Sequence, residues 1–267
     1  MRSGLRFVVD SRGQTTGRAR MGLRWRALWE ETLPRQALRK SHVGITLNDR
    51  SSKMELRLDA ALEIVRDRAS KTHGLTLAQV KRIYLEDIVS ELNAKLGSEL
   101  PVPLERAFRQ HSRTWLRPDG GFWYVEDWGS PRRWVLVAET KRQGTRSARE
   151  REDLPRQSRG NAIERLGKNM RGLDMLFLTE RISPFVCFGE GCDFEAESSI
   201  IDRVATLNGF FPLNEVHVDE VYLSSGEVLR PASLFFRDPP WTPKEMCHVL
   251  AQVVDRSIEY FRSQYGY

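Results

Sequence analysis

The sequence predicts an α/β domain, a central mixed β-sheet flanked by helices. Three observations predict it. Apolar stripes at helical spacing recur along the chain, an aromatic hairpin pattern and a short all-apolar run lie between them, and the two patterns alternate.

The elements follow in order. Residues 1–45 are Arg-rich with little periodicity, and are expected to be a poorly ordered extension, or to reflect a start assigned too far upstream, with Met21 or Met54 the true one. Residues 46–267 are expected to form a single domain. Leu58, Ala61, Leu62, Val65 and Ala69 make a helical stripe over 54–72. Leu77, Val80, Tyr84, Ile88 and Leu92 predict a second helix over 76–96, with Thr76 as its N-cap. Two hairpin strands are expected near 121–126 and 133–141, then a polar, basic connection over 142–159. Ile163, Leu166, Met170, Leu173 and Phe177 share one face of a helix over 161–179. "PFVCFGEG" predicts a buried strand, 198–207 a helix, and 215–237 two short strands. Thr242-Pro243-Lys244-Glu245 is a capping box with proline at its first helical position, opening a helix striped by Met246, Val249, Leu250, Val253, Ile258 and Phe261.

Composition limits the function. No apolar run reaches the ~18 residues of a membrane span, and no apolar core follows the N-terminal arginines as in a secretory signal. Cys187, Cys192 and Cys247 form neither an even disulfide set nor a zinc spacing, so buried free thiols and a reducing, cytoplasmic location are expected. The net charge of +6 is uneven: residues 1–40 hold ten Lys/Arg against three Asp/Glu, and residues 132–168 hold eleven against five. The second cluster adjoins the hairpin and suits either a polyanion partner or a merely solvated loop.

The hairpin carries the chemistry. With its turn centred on Gly129, Asp119 is expected opposite Glu139, and Glu139 and Lys141, two positions apart, share a face. Two carboxylates that close repel unless a cation lies between them. Few oxygen ligands suit a magnesium ion that completes its shell with water and a phosphate. Magnesium at the phosphoryl oxygen, with a lysine beside it, is what phosphodiester hydrolysis requires. The same three residues also fit an exposed strand-end ion pair beside a turn aspartate. Asn161 and Arg165, four apart at a helix N-terminus, are suited to adenine and purine N7 edges, but taken alone they fit a solvated helix face with an Asn cap better.

"RPDGGFWYVEDWGSPRRWVLVAETKRQG", followed by "GNAIERLGKNM", "FVCFGEGCDF", "DRVATLNGFFPLN" and "WTPKEM", resembles the EcoRI-type restriction endonucleases of the PD-(D/E)xK nuclease superfamily. The resemblance implies a restriction-endonuclease-like core with Asp119, Glu139 and Lys141 as catalytic residues and Asp119 and Glu139 as metal ligands. It implies that Asn161, Ala162, Glu164 and Arg165 contact an AATT core, and that Arg203 contacts an outer base. It further implies a magnesium-dependent homodimer that cuts double-stranded DNA at a palindrome, leaves 5′ overhangs, and acts alongside a protecting DNA methyltransferase. GAATTC, CAATTG and bare AATT remain open as the full site, because Ile200 replaces one arginine associated with outer-base contacts, Arg159 precedes Gly160, and little chain separates Phe194 from "DRVATLN". The rival readings are a repair or structure-specific nuclease on the same fold and a DNA-binding protein without catalysis.

Overall fold

The structure, a computed structural model, describes residues 50–96, 106, 114–143, 161–194 and 198–267. The Arg-rich stretch over 1–45 and most of the basic connection after the hairpin lie outside the described residues.

Helix α1, Arg50–His73, comes first. Gly74 ends it at a φ of +68°, a left-handed conformation that side chains with a Cβ resist. The chain then leaves the helical path, and the stripe expected to form one helix over 76–96 divides into three elements. These are strand β1 (Leu77–Val80), strand β2 (Ile83–Tyr84) and helix α2 (Leu85–Leu96). The helical expectation is wrong over 76–84, and tertiary pairing is the reason. Leu77–Val80 pairs antiparallel with strand β4, Gly121–Val125, and the Thr76 amide donates to the Asp127 carboxylate instead of starting a helix. Strand β3, Trp115–Leu116, pairs with β2.

Strand β5, Trp134–Arg142, completes the hairpin. Helix α3 spans Asn161–Leu176, strand β6 Phe185–Glu190, and helix α4 Ser199–Leu207, whose N-cap Ser198 accepts the Ile201 amide. Between 215 and 237 three strands form where two were expected: β7 (Val221–Tyr222), β8 (Val228–Leu229) and β9 (Ser233–Arg237). Helix α5, Pro243–Tyr265, opens with the anticipated capping box.

The five-stranded sheet has the order β1-β4-β5-β6-β9. Its first three strands are antiparallel and its last three parallel, so it is mixed as predicted. Helices α1 and α5 pack together over β5. Opposite them, Phe122, Val137, Phe185 and Cys187 join one apolar cluster with Ile88 and Leu92 of α2, Ile163, Leu166 and Leu173 of α3, and Ile200 and Val204 of α4. Each fully buried large side chain there contributes about 1.5–3 kcal/mol. Burial on both faces explains why β6 is apolar from Phe185 to Phe188. Cys187 and Cys247 are buried free thiols. Among the described residues no helix is long and apolar enough to cross a membrane.

Candidate functional site

The open end of the β4–β5 hairpin brings the predicted charged residues together, in a register one residue away from the expected one. Near the turn Tyr124 pairs with Trp134; beyond Trp123, which pairs with Leu136, the register has shifted. Val135 is the extra residue, a β-bulge with two residues on one strand against one on the other. Continued outward, the pairing sets Asp119 against Thr140, not Glu139. The Thr140 amide and hydroxyl both donate to Asp119 Oδ2, at 3.0 and 2.6 Å. The Asp119 amide donates in turn to Glu139 Oε2 at 3.1 Å. The three groups still converge, through backbone as well as side chains.

Gly120 makes this closure possible. A Cβ there would lie 2.7 Å from the Ala138 Cβ and 3.0 Å from both Leu58 and Leu62 of α1. Ala138 and Thr140 face α1, while Val137, Glu139 and Lys141 face the α3 side, by strand alternation.

Glu139 is 3% exposed. The Lys141 ammonium donates to its Oε1, and also to the Thr140 carbonyl at 3.0 Å. Burial pushes the Glu139 carboxyl up to about 7; Lys141 pulls it down, and the Asp119 carboxylate adds to the rise. For Lys141, burial works to lower the pKa, and the Glu139 carboxylate outweighs it, so the ammonium is held above its usual range. Behind this pair Cys187 lies opposite Glu139 in the β5–β6 register, its thiol raised well above the ordinary value by burial.

This donor set fits a hard cation. Two carboxylates adjoin, one of them buried at a cost that Lys141 only partly offsets. No cluster of three His, Cys, Asp or Glu among the described residues closes a full protein shell. Such a half-built oxygen site suits magnesium, which retains waters and takes oxygens from a phosphate, better than zinc.

Two further side chains were not anticipated. Asn169 of α3 donates to Glu139 Oε1 at 3.3 Å. Its signal was in the sequence: it lies four positions beyond Arg165 and eight beyond Asn161. Glu55, exposed on α1, has its carboxyl raised by burial and then by the Asp119 charge, with Lys141 acting in the opposite sense. Only the pairing of Gly120 with α1 places it near the site, and nothing in its local sequence marks it.

The predicted DNA-reading residues are carried by helices α3 and α4. Asn161 is the first residue of α3, Ala162 is half-buried, and Glu164 and Arg165 are exposed on its first turn. Arg203 is exposed on α4, whereas Ile200 on the same helix is buried in the core at 3% exposure. The two positions point to different environments, which is why an apolar residue stands at 200.

A model of the restriction endonuclease EcoRI family matches residues 40–201, more than half of the chain. The chain belongs to that family. The match includes the hairpin and the first turn of α3, and ends before Arg203. Among curated proteins, the type II restriction enzyme RsrI of Cereibacter sphaeroides is 28% identical over 174 residues, which cover 54% of this chain and 63% of RsrI. The type II restriction enzyme EcoRI of Escherichia coli is 32% identical over 132 residues, which cover 46% of this chain and 44% of EcoRI. The matches thus span less than two thirds of either relative's length.

Proposed function

We propose that this member of the EcoRI family is a type II site-specific deoxyribonuclease that hydrolyses double-stranded DNA, with magnesium, at a palindrome containing AATT. The observation that carries the reading is the convergence of Asp119, Glu139 and Lys141 at one end of the hairpin, in a chain of this family. Asp119, with Oδ2 fixed by Thr140, and Glu139, with Oε2 fixed by the Asp119 amide, would hold the ion. When bound, magnesium supplies Lewis-acid polarisation of the scissile phosphoryl group. Lys141 keeps a positive charge beside that group and within reach of an attacking water, so the charge that develops in the transition state meets a preorganised cation. Asn161, Ala162, Glu164 and Arg165 would read the inner base pairs, and Arg203 an outer one. A palindrome is met most simply by a two-fold homodimer. A protecting methyltransferase is the functional counterpart of such an activity, and 5′ overhangs its product.

The test is digestion of a sequenced plasmid in magnesium, with run-off sequencing of the ends. A single palindrome containing AATT with 5′ overhangs is expected; cleavage without a fixed sequence would sink the reading. Arg165→Lys keeps the charge but loses the planar fork, and should lose about 1–3 kcal/mol of discrimination at an inner base pair. Competition binding in calcium against every single-base variant measures this, and uniform weakening would make Arg165 a phosphate or structural residue.

A further inference from the structure

Helix α3 touches both segments that carry the site's carboxylates. On one side Asn169 Nδ2 donates to Glu139 Oε1, the oxygen that Lys141 also contacts. On the other, Gly172 lies so close to Leu116 that a Cβ would come within 2.6 Å of Leu116 Cδ2, and Leu116 precedes Asp119 by three residues. The helix is seated between these contacts by Ile163, Leu166 and Leu173, all buried. At a rise of 1.5 Å per residue, Asn169 stands about 6 Å along the axis from Arg165 and about 12 Å from Asn161. One rigid element therefore bears the candidate DNA-reading turn at its start and a hydrogen bond to the buried carboxylate two turns on.

We propose that Asn169 is a positioning residue that ties the orientation of the Glu139 carboxylate to the seating of α3 on DNA. The inference rests on the reading of Glu139 as a metal ligand and of the α3 N-terminus as the DNA contact. The physical basis is the short list of partners at Glu139 Oε1. Lys141 is flexible and belongs to the same strand, so it moves with Glu139. Among the described residues Asn169 is the contact from a different element, and it can transmit a displacement of that element. A site sequence that seats α3 correctly leaves the carboxylate aimed at the ion; one that seats it a few tenths of an ångström away turns the carboxylate. Outer partners that orient a metal ligand typically contribute 10–100-fold in metal affinity or activity.

The experiment uses the full-length protein with Asn169→Leu, close in size but without a donor, and Asn169→Ala, which also removes volume. Both should lower kcat by about 10–100-fold, leave calcium-supported binding of the mapped site within about twofold, and raise the half-saturating magnesium concentration several-fold. Single-turnover cleavage should also lose about tenfold of its preference for the mapped site over single-base variants, beyond any change in binding. Three results would overturn the proposal: kcat within threefold of wild type, a loss confined to Asn169→Ala, or a loss of binding with kcat unchanged. The second would mark Asn169 as filling space, the third as a DNA contact. Glu139→Gln run in parallel separates the two levels. If it still cleaves, the metal-ligand reading itself fails; if it is inactive while Asn169→Leu is normal, only the positioning role fails.

Discussion

Two buried carboxylates at opposite ends of β5 have been treated in opposite ways. Glu180, 1% exposed, meets Lys95 at 3.0 Å and Arg133 at 3.1 Å, and accepts the Tyr265 hydroxyl at 3.1 Å. Arg133 is itself stacked over the Tyr265 ring at 3.9 Å. Glu139, 3% exposed, has one cation among the described residues, Lys141, and a second carboxylate beside it. Burying a charge costs several kcal/mol and is tolerated where partners offset it. At Glu180 two cations and a hydroxyl do so. At Glu139 the compensation is incomplete, and the carboxyl rises to about 7 as a result. On the function proposed above, the difference separates a carboxylate kept for architecture from one kept for an external cation.

The contrast can be broken from either side. Glu139→Gln should abolish magnesium-dependent cleavage, by at least about 10³-fold. Its unfolding free energy should fall by no more than about 1–2 kcal/mol, because Gln still accepts from the Asp119 amide and Lys141 keeps the Thr140 carbonyl. A cleavage assay and urea denaturation on the same preparation decide both halves. Glu180→Ala should do the reverse. It leaves Lys95 and Arg133 buried without their carboxylate and should cost about 3–5 kcal/mol of stability, while the cleavage rate per folded molecule stays within about twofold. Equal losses of stability in the two variants would erase the distinction.

A third, more exposed carboxylate gives the smallest effect and a defined sign with pH. Hydrogen bonds from Arg237 first, then from Thr242, hold the Glu245 carboxyl down to about 2 although burial acts against them. Its folded-state value lies below its unfolded one, so its stabilisation is present above about pH 4.5 and is lost as pH falls toward 2. Glu245→Gln should therefore flatten the acid limb of melting temperature against pH and change little at neutrality. An unchanged acid limb would mean that the capping box does not persist in solution.

Much of this was legible from residue patterns, for physical reasons. The capping box at Thr242 is local chemistry, and it forms. The stripe of α1 and the apolar run of β6 are long or uniform enough to outvote local ambiguity. The convergence of Asp119, Glu139 and Lys141 needed only an approximate hairpin. What failed was set at a distance. Leu77–Val80 carries apolar residues at positions compatible with a helix, and it became a strand because β4 offered it an unpaired edge. The bulge at Val135 leaves no mark, since any buried β-branched residue could occupy it. Asn169 shares the helical spacing of Arg165, but its partner Glu139 lies 30 residues away in the chain and only the fold brings the two together.

That bulge has a consequence for how the protein can change. Val135 acts as a phase step between the turn and the open end. Deletion of Val135 removes the bulge and leaves Thr140 against Asp119, whereas deletion of one residue of β4 between Gly121 and Trp123 sets Asp119 against Glu139 instead. Point substitution in this hairpin perturbs one side chain, whereas a one-residue change in the length of β4 moves Asp119 relative to all of its partners on β5 at once. Chain length between Asp119 and Trp123 therefore governs the site more strongly than side-chain identity there, while position 135 can lose its residue without moving the site.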